Sequence, residues 1–126
     1  MVDVVKQISF WRRSAQEDWL VACQLIENGH TRHGLFFVHL SLEKVLKAFI
    51  CKRINDIAPR SHNLTRLSEL SGLSINSQQI DLFADMNAFN IEGRYPDMQT
   101  TQLTKIEAEA YMLRAKELYE WLMNQF

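Results

Sequence analysis

The chain has 126 residues, of which 47% are hydrophobic and 23% are charged, and its formal net charge is −1. This length suffices for one domain, residues 1–126, with its own hydrophobic core, and the composition excludes a disordered tail. No apolar run approaches the ~20 residues that cross a bilayer, and the near-neutral charge argues against a protein that coats nucleic acid.

The N-terminal sequence and the cysteines favour a cytoplasmic protein. Charged residues interrupt every apolar stretch of MVDVVKQISFWRRS, so no signal peptide is predicted. Cys23 and Cys51 lie inside helical patterns without the paired spacing of a metal or disulfide site. Both are therefore predicted to be buried, small apolar side chains.

The first predicted helix begins after Asp3, a capping residue, and runs to about Asn28. Gly29 follows at the position that favours a left-handed backbone. Apolar residues recur at three- and four-residue steps along one face, namely Ile8, Trp11, Ala15, Trp19, Ala22 and Ile26.

The second predicted helix, from about Arg32 to Ile54, is apolar nearly all round. One broad side carries Leu35, Val38, Leu42, Val45, Leu46 and Phe49. Much of the opposite side carries Phe37, Leu40, Ala48 and Cys51. Such a helix is buried centrally or shared with a partner, so we expect a central helix, a homodimer interface through Phe37 and Leu40, or both.

Three further helices are predicted in the second half of the chain. Asn63 caps a short helix, LTRLSELS, which ends at Gly72. Ser77 is expected to cap the fourth helix, whose predicted inward stripe is Ile80, Phe83, Ala84 and Ala88.

Residues 93–96 are predicted to break the helical pattern before the last helix. The segment TKIE, residues 104–107, matches a capping box and opens a helix to about Asn124. Its expected packing residues are Ile106, Ala110, Leu113, Leu118 and Leu122. No stretch alternates with period two, so the predicted fold is an all-α bundle of four long helices and a short one, without a sheet.

A polar strip separates the two apolar sides of the second helix. Arg32, His39 and Glu43 fall within about 40° of each other at ~100° per residue, and Lys47 follows one turn later. The spacings from His39 to Glu43 and from Glu43 to Lys47 allow bonds along the helix. The strip is either a polar edge with ordinary ion pairs or part of a binding site.

A basic segment follows this helix. Six lysines and arginines lie between positions 44 and 66, namely Lys44, Lys47, Lys52, Arg53, Arg60 and Arg66. A helix N-terminus suits a phosphate, because its N–H groups are free and its dipole end is positive. His62, just before the Asn63 cap, either binds phosphate or anchors the loop through a backbone bond.

The histidines do not form a recognisable metal site. His30, His33, His39 and His62 lack the spacing and the neighbouring ligands of a zinc centre. The sequence also lacks a Walker loop, a GxGxxG turn and a nucleophile elbow. No metal, cofactor or catalytic residue is therefore predicted.

Four short segments, in this order, resemble the HEPN domain family (higher eukaryotes and prokaryotes nucleotide-binding domain). They are FWRRSAQEDWLVACQLIENG, SLEKVLKAFI, PRSHNLTRL and GRYPD, between positions 10 and 97, and the resemblance covers nearly the whole chain. The resemblance implies an antiparallel up-and-down helical bundle, commonly dimeric, that binds nucleotide or RNA. It also implies a small nucleotidyltransferase as partner, in some cases as a toxin–antitoxin pair.

By this resemblance, the motifs place the candidate nucleotide-binding residues at Lys47, His62, Arg94 and Tyr95. The supporting polar cluster would be Glu43 and Lys44 from the same motifs, together with Arg32 and His39 of the polar strip. We expect Arg94 and Tyr95 to lie close to the polar strip, with Glu43 paired to Arg94 or Lys47.

The sequence departs from ribonuclease members of the wider superfamily. Those carry Arg-x4–6-His near the start of a late helix, whereas no histidine follows Arg94 here. Arg32 and His39 have a similar spacing on the second helix, which we interpret as coincidence. The leading hypothesis is thus a binding module that partners a nucleotidyltransferase; the alternatives are a metal-independent ribonuclease and a dimeric scaffold with a structural polar cluster.

Overall fold

The computed structural model describes the backbone of residues 2–94 and 103–126, and the side chains of residues 2–90 and 103–126. These ranges contain five helices and no strand, which confirms the predicted all-α fold. The helices are α1 (Val4–Glu27), α2 (Thr31–Ile54), α3 (Leu64–Ser71), α4 (Ser77–Arg94) and α5 (Lys105–Met123).

Local capping explains where most helices begin and end. Asp3 caps α1, with Oδ1 accepting from Lys6 N at 3.1 Å, and Asn63 caps α3. Thr104 opens α5 with the predicted capping box. The predicted ends of α1 and α3 are also confirmed, since Gly29 and Gly72 have φ of 80° and 76°.

Both ends of α4 differ from the prediction. Its capping residue is Asn76 rather than Ser77, because Asn76 Oδ1 accepts from Gln79 N at 2.8 Å and Asn76 N donates to Gln79 Oε1 at 3.0 Å. At the other end α4 continues through Gly93 to Arg94. The predicted break therefore does not begin at Gly93, and Tyr95 and Pro96 lie outside the described residues.

The predicted inward stripes of α4 and α5 were largely wrong. Exposed positions include Ile80, Ala84, Ala88, Ile106, Ala110 and Leu113. The core instead receives Leu82, Phe83, Met86, Phe89, Ala108, Ala115, Leu118 and Leu122. Both helices carry apolar residues on two opposed sides, so periodicity alone did not identify the inner one.

The central helix of the bundle is α2. It packs against α1, α3, α4 and α5, and Ala48 and Cys51 on its second apolar side are completely buried within one chain. Against α1 it runs antiparallel at close distance, with Gly34 beneath Ile26 and with Ser41 Oγ donating to Ala15 O at 2.8 Å. This central position accounts for the apolar circumference of α2.

One strip of α2 is covered by polar groups instead. The loop between α2 and α3 and the C-terminal half of α4 meet over this strip, at His39 and Glu43. None of the described helices is both long enough and apolar enough to cross a membrane.

Candidate functional site

Glu43 is the centre of a buried polar cluster. Its Oε2 accepts from Lys47 Nζ at 3.0 Å, and its Oε1 lies 2.9 Å from His62 Nδ1. Glu43 and Lys47 are both almost completely buried. An unpaired charge at this depth would cost several kcal/mol, so the pair depends on its mutual hydrogen bond. Lys47 Nζ also lies 5.2 Å from the ring centroid of Trp11, a cation–π contact with α1.

His39 is a neutral histidine inside the bundle. It has no exposed surface, and burial lowers its pKa from 6.5 to about 4, although the nearby Glu43 carboxylate acts in the opposite direction. Its Nδ1 accepts from Asn90 Nδ2 at 3.1 Å, which assigns the ring proton to Nε2. That buried Nε2 has no hydrogen-bond partner in the described part of the chain.

His62 brings the loop between α2 and α3 onto Glu43. A carboxylate can only accept, so Nδ1 of His62 carries the proton in this contact. The side chain remains 55% exposed, so its other edge faces solvent. From the sequence we expected His62 to bind phosphate or to anchor the loop through a backbone bond. The structure shows a side-chain bond to Glu43, which is neither of these.

The start of α3 is already occupied by protein groups. Leu64 N donates to Asn87 Oδ1 at 2.9 Å, and Arg66 N donates to Asn63 Oδ1 at 3.3 Å. Asn87 Nδ2 also donates to Asn63 Oδ1 at 3.1 Å, which fixes α4 against the loop. Because these two N–H groups already have protein partners, they are not free to bind a phosphate, which the sequence had suggested for this helix start.

Asn87 and Asn90 are site residues that the sequence reasoning missed. They lie three residues apart on α4, and their amides reach the α3 start and His39 respectively. Polar side chains one turn apart on an otherwise apolar face are a signal that could have identified them.

One predicted member of the cluster, Lys44, makes its contacts elsewhere. Lys44 faces α1, with Nζ 2.6 Å from Asp18 Oδ2 and donating to Ser14 Oγ at 2.7 Å. It therefore connects α1 to α2 rather than joining Glu43. Arg32 is an exposed residue of the first turn of α2, and its place in the cluster stays a prediction.

The other two predicted residues are only partly described. Arg94 is the last residue of α4, four positions after Asn90, so the helix register gives both the same face. The side chain of Arg94 and all of Tyr95 lie outside the described residues. Their approach to the polar strip stays a prediction.

The described side chains include no group of three histidine, cysteine or acidic residues that could hold a metal ion. Cys51 is buried, Cys23 is partly buried, and both are free thiols. Burial raises the pKa of each thiol, which disfavours the reactive thiolate.

Comparison with known proteins identifies the family. Curated proteins gave no match. Among solved structures, the crystal structure of TT1696 from Thermus thermophilus is similar, with a TM-score of 0.79 and 19% identity over 95% of this chain and 98% of that chain. At this identity the likeness shows a shared fold. A sequence model described as HEPN domain matches residues 8–125, and the chain therefore belongs to the HEPN domain family of nucleotide-binding helical modules.

Proposed function

We propose that residues 1–126 act as a single nucleotide- or RNA-binding module that works beside a small nucleotidyltransferase. The observation that carries this proposal is the buried cluster of Glu43, Lys47, His39 and His62. It combines a paired ion, a buried donor without a partner among the described residues at His39 Nε2, and a half-exposed histidine.

The cluster is better suited to an acceptor-rich ligand than to a cation. Glu43 uses both carboxylate oxygens on Lys47 and His62, so it has little left to offer a metal. The Lys47 ammonium has three N–H groups, of which Glu43 accepts one, and the exposed edge of His62 lies next to the same carboxylate. Phosphate and nucleobase carbonyl oxygens accept such bonds. We propose that Arg94 contacts phosphate and that Tyr95 stacks on the base.

Calorimetric titration with ATP, GTP and a short single-stranded RNA tests this function. His62→Ala and Arg94→Ala should each weaken binding by roughly 10- to 150-fold, the equivalent of about 1.5–3 kcal/mol for a charged hydrogen bond. His33→Ala is the matched control, because His33 is an exposed histidine of α2 whose ring packs against His30. Absence of binding to all three ligands would contradict the proposal.

Melting temperatures of the same variants separate the binding module from a structural cluster. If Arg94 serves the ligand, Arg94→Ala should reduce affinity and leave the melting temperature nearly unchanged. If the cluster is only structural, His62→Ala should lower the melting temperature instead, because Glu43 loses its contact with His62.

The nucleotidyltransferase partnership, including a toxin–antitoxin pair, is supported by the family to which the chain belongs. A neighbouring gene for a small nucleotidyltransferase, followed by co-purification of the two chains as one complex, is the expected result. Two co-expressed chains that elute separately would contradict the partnership.

We also propose a homodimer, now through α5. Phe37 and Leu40 are already partly buried within one chain, which weakens the case for α2. In contrast, Ile106 is 79% exposed and Leu113 is 61% exposed on the outer side of α5. Sedimentation should give a dimer that Leu113→Glu converts to a monomer; a wild-type monomer at micromolar concentration would contradict this.

A metal-independent ribonuclease is the second candidate, and one contact favours it. Glu43 fixes the proton of His62 on Nδ1, which leaves Nε2 on the exposed side as an acceptor when the ring is neutral. His39 is unsuited to this task, since it is buried and its pKa is lowered to about 4. RNA cleavage in the presence of a chelator, lost in His62→Ala and kept in His33→Ala, would support this candidate.

A further inference from the structure

A concave surface lies at the C-terminal end of α2, where the following loop folds back toward α3. The cavity has a volume of about 430 Å³, and its walls include Ile50, Ile54, Ile57, Pro59, Arg60 and Leu70. Ile54 is 51% exposed and Ile57 is 53% exposed. Two large apolar side chains at one open pocket are a feature of interaction surfaces, since monomers rarely leave contiguous apolar patches open to water.

The walls of this pocket favour a protein side chain over a small polar ligand. Small-molecule sites of about 300–1,000 Å³ usually combine apolar walls with several convergent polar groups. Here Arg60 is the single charged residue among the lining residues. The pocket therefore combines an apolar recess with one cation, and it has too few polar groups to orient a small polar molecule.

Positive charge predominates in the segment that forms the recess. Lys52, Arg53 and Arg60 are exposed along this segment, against one acidic residue, Asp56. Arg53 is held in place, because its Nη1 donates to Leu70 O at 3.1 Å. Lys52 and Arg53 also lie in the last turn of α2, where a positive charge interacts favourably with the helix dipole.

We propose that this pocket docks an acidic segment of a partner protein, which inserts an apolar side chain between Ile54 and Ile57. The basic rim is complementary to carboxylates, and such complementarity sets specificity and association rate. The same loop continues into His62, so a docked partner would lie beside the buried polar cluster. This inference does not depend on whether the cluster binds nucleotide.

Fluorescence anisotropy with labelled helical peptides tests the docking surface. The probe carries leucines on one face and glutamates on the other; two matched peptides replace either the glutamates by lysine or the leucines by alanine. The glutamate–leucine peptide should bind the wild-type protein at least about tenfold more tightly than either matched peptide. Added salt should weaken that binding, because exposed charges are screened.

Surface variants locate the binding. Ile57→Ser and Arg60→Glu should each weaken binding of the glutamate–leucine peptide by about fivefold or more. Leu20→Ser, at an exposed leucine on α1, should leave it unchanged. Circular dichroism verifies that each variant is folded. Equal binding of all three peptides, no effect of both pocket variants, or a wild-type dimer that Ile57→Ser dissociates would each overturn the proposal.

Discussion

Burial of His39 predicts that the free energy of unfolding falls as the solution is acidified. Its pKa is about 4 in the folded chain, below the 6.5 of an exposed histidine. Between these values the unfolded state binds the extra proton, so acid favours unfolding. The stability associated with a neutral His39 is complete above about pH 6.5 and is lost as the pH falls toward 4.

The size of this effect follows from the two pKa values. One pKa unit corresponds to about 1.4 kcal/mol, and the full difference therefore to about 3 kcal/mol. Between about pH 7.5 and about pH 5, linkage gives a loss of about 2 kcal/mol from this one group. Such a loss is a large share of the 5–15 kcal/mol typical of a domain.

Urea unfolding across this pH range, with wild type and His39→Asn, measures the effect. Asparagine keeps an acceptor for Asn90 Nδ2 but removes the titrating ring, so the variant should lose about 2 kcal/mol less than wild type. His33→Asn, at an exposed histidine of the same helix, should follow the wild-type curve. If wild type and His39→Asn lose the same free energy of unfolding on acidification, then burial of neutral His39 is not the cause of the loss.

Three further substitutions test the packing and capping of the bundle by urea unfolding at neutral pH. Leu122→Ala should lower the free energy of unfolding by about 2–5 kcal/mol because Leu122 is completely buried, and a change below that range would mean that the site collapses around the smaller residue. Thr104→Ala should lower it by about 1 kcal/mol through loss of the capping box with Glu107, whereas an unchanged value would show that the cap contributes nothing. Gly34→Ala should destabilise despite better helix propensity, since the added Cβ would lie 2.5 Å from Ile26 Cδ1; a more stable variant would contradict this close approach.

Helix boundaries could be predicted from the sequence because they depend on neighbouring residues. Asp3, Asn63 and Thr104 each bond a backbone N–H within three positions, so the signal and its effect lie in one short segment. The choice of inner face for α4 and α5 depends instead on what packs against them. Ile80 and Ile106 fit the helical period as well as the buried residues do, and only tertiary contacts distinguish them.

In the candidate site, too, local contacts could be predicted from the sequence and long-range contacts could not. The Glu43–Lys47 bond joins residues four apart on one helix, and their spacing predicted it. The contacts of Glu43 with His62 and of His39 with Asn90 link residues 19 and 51 positions apart. The sequence therefore indicated the strip on α2 but not the asparagine of α4 that meets it.

A comparison of buried polar groups favours a binding role for the cluster over a purely structural one. Where α1 meets α2, Ser41 bonds a backbone carbonyl and Lys44 has partners in Asp18 and Ser14, whereas Trp11 Nε1 is buried without a hydrogen-bond partner among the described residues. The cluster differs in its ion pair, because Glu43 and Lys47 are more deeply buried than Lys44 and Asp18 are. Apolar residues of similar volume often stabilise a fold as well as such a pair does. Stability alone therefore explains the cluster poorly, and the exposed edge of His62 is where a ligand would reach it.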